Sequence, residues 1–372
     1  MGRLPFYDVV IAGAGPAGST AAIVLARRNF RVLVVERRRE FPGFKVGESL
    51  PPAAWPLLRH LGLDRQIREG GHLGCHGNRS LWGGEDIADN DFIRDPKGPG
   101  FHLDRTRFDS TLREASTGAG AETAPGWHVA RCRRNMKERA WRLELTSGAS
   151  SRGVRCRCLI DATGRAATIS AALGSCITER DALVAYCGLG PAASRDHDAR
   201  SLVESAGEGW WYSALLPGRR RLTVFFTDRD LPTAAEMRGA EGFLSALART
   251  RQIPGWRRGH GVERIISLPS GTLRRSTVAG EGWFSIGDAS LAMDPLSSQG
   301  LFHALFTGIR GAESAAGTLC GEPGAPGAWQ ARIEAIGASY SRRLAASYGT
   351  ERRWPDAPFW SRRSDPGDRV VS

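Results

Sequence analysis

Between positions 8 and 36 the chain groups its apolar residues in blocks instead of alternating them. Asp8-Val-Val-Ile-Ala12 is a short run rich in β-branched side chains, the pattern of a strand buried on both faces in a parallel sheet. Gly13-Ala14-Gly15-Pro16-Ala17-Gly18 follows at once, and Ser19 to Arg28 carries Ala, Ile, Val and Leu at helical density. A second apolar run, Arg31 to Val35, stops at Glu36. Far downstream, Gly282 to Ile286 predicts a strand and Leu301 to Thr318 a helix. Between these ends, Asp181 to Gly190, Trp210 to Leu216, Leu222 to Thr227 and Val262 to Leu268 have strand character. A helix-like stretch, Ala234 to Thr250, separates the third from the fourth.

Strand, glycine turn, helix, strand and terminal acid make up a dinucleotide-binding unit. Gly13 permits the tight turn, Gly15 lets backbone approach a pyrophosphate, and Gly18 lets the helix press on the strand. The helix N-terminus then presents unpaired N–H groups and a partial positive charge to the phosphates. Glu36 lies where a carboxylate accepts hydrogen bonds from ribose hydroxyls. An ordinary βαβ turn would leave the acid and the third glycine without a purpose.

The choice of dinucleotide comes from the second half of the chain. Gly287-Asp288-Ala-Ser follows the late strand, and Met293-Asp-Pro-Leu-Ser-Ser-Gln-Gly300 opens the late helix. Here the sequence resembles the FAD-dependent monooxygenases and halogenases of the glutathione-reductase type. The resemblance implies that Asp288 holds the ribityl chain of FAD. It also sets Pro295, Ser297, Ser298, Gln299, Gly300 and Leu301 against the flavin ring, with Ser298, Gln299 and Gly300 at the reacting edge. Arg105-Thr-Arg-Phe108-Asp109 resembles the family's RxxFD helix, whose Arg approaches the cofactor, and Asp161-Ala-Thr163-Gly164 its strand-end DATG segment. Arg37, Glu48, Ser49 and Val129 are assigned to the same cofactor surroundings. The FAD is expected to be non-covalent, because no flavin-linking Cys or His is evident.

The expected fold class is therefore α/β, a glutathione-reductase-type (Rossmann-like) FAD-binding domain with an inserted antiparallel β-sheet substrate domain. Residues 1–70, 101–175 and 270–345 are assigned to the first, 71–100 and 176–269 to the second. Residues 346–372 are expected to form a tail packed on the body through Trp354 and Trp360. A chain of 372 residues has room for two joined domains. Its composition, 41% hydrophobic and 24% charged, excludes disorder, collagen and coiled coil.

Net charge is +12, which raises nucleic acid as a partner. Only Lys45, Lys97 and Lys137 are lysines, however, and the arginines fall in scattered pairs without a basic stripe. No nucleic-acid partner is expected. Seven cysteines without a CxxC point to a reduced interior. Val9 to Ala26 is uncharged but broken by glycines and proline, so neither a signal peptide nor a membrane anchor is expected. The expected location is cytoplasmic. His72, Cys75 and His76 invite a metal, but too few ligands converge, and no metal is expected.

No second dinucleotide unit is visible, so electrons are expected from transiently bound NAD(P)H or from a separate flavin reductase. The resemblance implies a flavin C4a-hydroperoxide, whose distal oxygen either hydroxylates an electron-rich substrate or is captured by halide. Phe44-Lys45-Val-Gly-Glu48-Ser49-Leu-Pro-Pro52 resembles the GES/GEA region shared by flavin-dependent halogenases and their non-halogenating relatives. The halogenase WxWxIP signature is not met by Gly209-Trp210-Trp211-Tyr212, and the stretch His72 to Trp82, where halogenases carry a lysine, has none. Lys45, beside the GES motif, is the candidate catalytic lysine.

Cys75 to Gly83, Asp91 to Pro96, Gly100 to Asp104 and Glu351 to Trp360 look most like the LodB/GoxB/QhpG-type flavoproteins of tryptophylquinone maturation. That resemblance implies hydroxylation of tryptophan or indole, free or borne by a partner peptide or protein. His76, Trp82, His102, Trp210 and Tyr212 are the candidate substrate-pocket residues. Strand alternation puts Trp210 and Tyr212 on one face and Trp211 on the other. A tryptophan-type halogenase, a flavin-dependent reductase and a non-catalytic FAD-binding partner protein remain as alternatives.

Overall fold

The computed structural model describes residues 4–40, 43–92, 95–253 and 262–364. The end of the expected tail, 365–372, and part of the Asp91–Pro96 segment lie outside the described residues.

Strand Phe6–Ala12 is central to a sheet in which its parallel neighbours are Ser150–Asp161 and Val32–Glu36. Glu122–Pro125 extends the sheet beyond Val32–Glu36, and Trp283–Ser285 extends it beyond Ser150–Asp161, again in parallel. In register, Ala12 pairs with both Asp161 and Val35, and Asp161 pairs with Ser285. The carboxyl ends of these strands therefore stop at one level, which is where open α/β sheets bind ligands. His128–Asn135 and Ala140–Ser147 form an antiparallel flap on the long Ser150–Asp161 strand.

Helix Pro16–Ala26 is buried along its whole length, which is why it reads as uniformly apolar and not amphipathic. It is covered by the 20-residue helix Gly300–Leu319, and a side chain at Gly308 would run into the Ala17 carbonyl and Thr20. Small residues on both helices set that close approach.

The second large sheet has seven strands, in the order Arg264–Pro269, Leu183–Pro191, Arg220–Asp228, Gly209–Leu216, Ser201–Ala206, Gly77–Leu81 and Ala88–Asp91. All four strand-like runs of the middle segment fall in it. Trp211 packs with Tyr186, Phe225 and Phe243 on one face, while Trp210 packs with Phe226, Tyr348 and Trp360 on the other. The helix-like stretch 234–250 is two short helices, Pro232–Glu236 and Ala240–Leu247. The break falls at Gly239, in extended conformation (φ −93°, ψ 144°). A small third sheet, Ser49–Leu50, Gly100–His102 and Leu73–Cys75, lies between the two.

Among the described residues, no helix is long and apolar enough to cross a membrane. The seven cysteines are unpaired. Burial raises the thiol of Cys158 to about 12 and that of Cys156 well above its ordinary value, so neither is a nucleophile at neutral pH.

Candidate active site

At the carboxyl ends of the parallel strands lies a cavity of about 620 Å³, inside the range of small-molecule and cofactor sites. Its floor is the glycine loop. Gly13 adopts φ +107°, and any side chain there would collide with the Ala162 carbonyl. A side chain at Gly18 would collide with the Gly13 carbonyl, so strand and helix touch backbone to backbone. Gly15 differs: a Cβ there would meet nothing within 4 Å and would project into open space. Glu36 steadies the loop, accepting Ala14 N–H at 2.9 Å through Oε2 while Oε1 accepts Arg38 N–H at 2.9 Å.

The opposite wall comes from Ile286, Gly287, Asp288, Gly300 and Leu301, and a third side from Val129, Thr163 and Gly164. Asp161 shapes that third side from beneath. Its Oδ1 accepts the amide and hydroxyl of Thr163, at 3.0 and 2.6 Å, and its Oδ2 accepts Ser170 N–H at 2.8 Å. Asp288 makes no hydrogen bond to any described residue, and burial raises its carboxyl above the ordinary aspartate value. A carboxylate in that condition is an acceptor awaiting hydroxyl donors.

The last side is the helix Arg105–Gly118, capped by Asp104, whose carboxylate accepts Thr106 and Arg107 N–H at 3.0 and 3.1 Å. Arg105 grips Asp109 one turn on, Nε to Oδ1 at 3.1 Å and Nη2 to Oδ1 at 3.0 Å. Its Nη1 donates to the carbonyls of Val46 and Gly47 at 3.0 and 2.7 Å. Lys45 completes the set, with Nζ 2.9 Å from Asp109 Oδ2. Burial and the neighbouring Arg105 lower the Lys45 ammonium below its ordinary pKa.

A family model for the FAD binding domain matches residues 6–304, about four-fifths of the sequence. The chain belongs to the FAD-binding domain family. LodB of Marinomonas mediterranea is 27% identical over 365 residues, covering 96% of each chain. Among solved structures, the peptidyl tryptophan dihydroxylase QhpG, essential for tryptophylquinone cofactor biogenesis, superposes with a TM-score of 0.75. Its identity is 25%, over 98% of this chain and 80% of QhpG. The myxobacterial chondrochloren halogenase CndH superposes at 0.84 with 23% identity, over 98% and 87%. At that identity the likeness to CndH speaks for the fold alone. The protein is thus an FAD-dependent oxidoreductase of the monooxygenase and halogenase superfamily.

The cavity fits FAD. It offers an open backbone approach at Gly15 beside a helix N-terminus, an acid at the loop, and a carboxylate lacking a partner at Asp288. Of the expected cofactor residues, Gly13, Ala14, Gly15, Pro16, Ala17, Glu36, Arg37, Arg105, Val129, Thr163, Gly164, Gly287, Asp288 and Leu301 line it, with Lys45 and Gly300. Gly18 lies beneath the loop. Glu48, Ser49, Pro295, Ser297, Ser298 and Gln299 do not line it. Glu48 is buried next to the lining residue Gly47, and Ser49 pairs with His102 in the small sheet. Ser298 adopts φ +51° just before the helix that Gly300 begins.

None of the five candidate pocket residues lines this cavity. Trp210 is core: 1% exposed, it stacks on Phe226 at 3.9 Å between centroids and donates Nε1–H to Tyr348. Trp82 lies edge-on to it at 6.2 Å and donates to the Ser347 carbonyl. Periodicity marks such residues as facing one side without saying what covers that side. His76 is exposed. His102 is fully buried, with Nδ1 2.8 Å from the Leu215 carbonyl. Burial opposes its charged form, but Cys75 and Glu48 beside it leave its pKa raised. Tyr212 donates to Glu48 at 2.6 Å.

Arg113, Trp127 and His128 also line the cavity and were not singled out from the sequence. Arg113 carried a signal, since it lies two helical turns beyond Arg105 on the same face. Trp127 and His128 carried none, because they come from the turn into the antiparallel flap.

Proposed function

We propose that the protein is an FAD-dependent monooxygenase that hydroxylates an electron-rich aromatic ring, a tryptophan indole, free or borne by a partner peptide or protein. Bound FAD supplies the oxygen-activating redox chemistry, with electrons from NAD(P)H or a separate flavin reductase. The residues of this chain hold and orient it. Gly13, Gly15 and Gly18 would present the Pro16–Ala26 helix N-terminus to its phosphates and Glu36 and Asp288 would accept from its hydroxyls, while Arg105 fixes the Val46–Gly47 backbone at the cavity wall.

The observation that carries the reading against halogenation is the position of Lys45. Halogenation of the type the resemblance describes needs a lysine free to handle hypohalous acid on the substrate side. Lys45 is instead tied to Asp109 at 2.9 Å in the wall of the cofactor cavity. Lys97 and Lys137 do not reach that cavity. The likeness to the peptidyl tryptophan dihydroxylase QhpG supports an indole borne by a polypeptide.

The test is mass spectrometry of tryptophan, indole and tryptophan-containing peptides, turned over under ¹⁸O₂ with a flavin reductase and NADH, with and without halide. Gain of labelled oxygen independent of halide is the expected result. Halide-dependent gain of chlorine or bromine would overturn it.

A further inference from the structure

A line of buried hydrogen bonds joins the seven-stranded sheet to the edge of the cofactor cavity. Trp210 Nε1–H donates to Tyr348 Oη at 3.1 Å, and Tyr348 Oη–H donates to Asp294 Oδ2 at 2.9 Å. Asp294 Oδ1 accepts Leu296 N–H at 2.8 Å, and its own N–H donates to Tyr340 Oη at 2.7 Å. Trp210 and Tyr348 are each 1% exposed and Asp294 is 0% exposed. Leu296 is the middle residue of the short turn Pro295–Ser297, which leads through Ser298 into Gly300 and Leu301, two lining residues of the cavity.

A carboxylate is an expensive choice for this place. Capping one turn needs only a Ser or Asn, whereas an ionised group without a paired cation costs several kcal/mol of desolvation. The charged and titratable groups around Asp294 are Asp181, Arg165, Arg363, Tyr340 and Tyr348. None of the arginines is its partner. Arg363 is committed to Asp228 and Asp181, and Arg165 donates to the Gly271 carbonyl. The ionised form of Asp294 therefore leans on the Tyr348 hydroxyl and the Leu296 amide.

The other end of the line is built for mechanical contact. Trp210 belongs to a cluster in which Trp82 touches Trp210, Tyr348 and Trp360. Tyr348 is thus at once a packing member of that cluster and the hydroxyl donor on Asp294.

We propose that Tyr348 is a positioning residue that couples the aromatic cluster of the seven-stranded sheet, through Asp294, to the Leu296–Leu301 segment at the cofactor. Packing in the cluster then sets the environment of bound FAD from a distance. The proposal rests on FAD occupying the cavity described above. Burial and the nearby Asp181 raise the Asp294 carboxyl to about 6, so the coupling titrates in an accessible range. Below that value Asp294 is neutral and its hold on the segment weakens; above it the carboxylate grips both donors.

The experiment follows the visible absorption and fluorescence of the FAD-loaded protein from pH 5 to 8. Wild type should show one transition near pH 6. Tyr348→Phe should keep FAD and move the transition up by about 1–2 pH units, the worth of one hydrogen bond to a charged group. Asp294→Asn should abolish it. A Tyr348→Phe protein with the wild-type transition, or a wild type without one, overturns the proposal even if thermal stability falls. Should Asp294→Asn fail to fold, the Tyr348→Phe shift decides alone, since it removes a single oxygen. Wild-type protein that holds no FAD would instead overturn the occupancy on which the proposal rests.

Discussion

Tyr212 and Glu48 lie 164 positions apart in sequence, and the tyrosine hydroxyl donates to Glu48 Oε1 at 2.6 Å. Tyr212 sits on a strand of the seven-stranded sheet; Glu48 precedes the short strand Ser49–Leu50 and follows Gly47 in the cavity wall. The bond therefore ties the seven-stranded sheet to the wall of the cofactor cavity. Burial first, and Glu48 second, raise the Tyr212 hydroxyl well above its ordinary pKa, so it stays protonated and remains the donor.

Removing that donor should be costly and the cost should depend on Glu48. Tyr212→Phe leaves Glu48 with only the Gly47 N–H at 3.1 Å, and should destabilise the fold by about 1–3 kcal/mol. Adding Glu48→Gln removes the buried charge and should recover part of the loss. Urea melts of both single variants and the double at pH 7 check this. Additive losses would mean that the pair does not act as a unit.

Gly15→Val should abolish FAD binding while sparing the fold. The glycine's missing Cβ points at open space and meets no protein atom within 4 Å. A β-branched side chain there starts into open space and blocks the backbone approach that a pyrophosphate needs. The expected result is a colourless protein with wild-type circular dichroism. Stoichiometric flavin after gel filtration would remove the glycine loop from the cofactor site.

Asp288→Asn should separate cofactor affinity from stability. FAD affinity should fall by the worth of a charge-assisted hydrogen bond, about 1.5–3 kcal/mol, or roughly 10–100-fold. Burial raises the Asp288 carboxyl and no described residue donates to it. Its loss should therefore leave the melting temperature of the FAD-free protein unchanged or higher. Flavin titration by fluorescence quenching, together with melts of the stripped protein, measures both.

These sites differ in how plainly the sequence announces them. Glycine spacing, flanking strands and Glu36 are local, so the first βαβ unit was legible within thirty residues. The segment around Asp288 was legible only through its resemblance to other flavoproteins. The seven-stranded sheet was visible as strands, but not the face each covers. Trp210 shows why: alternation placed it correctly beside Tyr212, yet its cover is the far helix residue Tyr348. The Arg105–Asp109–Lys45 cluster needed two segments sixty-four positions apart to meet. Long-range contacts of this kind leave no periodic trace in a single sequence.

The C-terminal segment should come loose in acid. Glu351, 3% exposed, accepts Gly83 N–H at 2.8 Å, Ser205 Oγ–H at 2.6 Å and Arg353 Nη2–H at 2.7 Å. Burial pushes its carboxyl up, but Arg353, Ser205 and the amides outweigh burial and bring it down to about 2. A depressed carboxyl contributes stability above its unfolded pKa, and loses it as pH falls toward the folded value. Glu351→Gln should thus cost about 1–3 kcal/mol at pH 7, and the gap to wild type should narrow steadily below pH ~4.5. Denaturant melts between pH 7 and 3.5 read the gap directly. A gap independent of pH would mean that the carboxylate charge is not the anchor.

Lys45→Ala bears on the reaction class. The ammonium is bound to Asp109, which Arg105 also holds, so the alanine variant keeps the Arg105 clamp on Val46 and Gly47. Asp109 retains its stronger partner, and the cavity wall should survive. In a monooxygenase, no lysine-borne intermediate is needed, and loss of one positioning or electrostatic group lowers the rate about ten- to a thousandfold. The product should stay hydroxylated and independent of halide. In a halogenase Lys45 is the one lysine beside the cofactor, and its loss should eliminate halogenated product while leaving flavin reduction intact. Product analysis of wild type and variant side by side, with chloride and with bromide, distinguishes the two. Halogenated product from wild type that vanishes in Lys45→Ala would reverse the assignment proposed here.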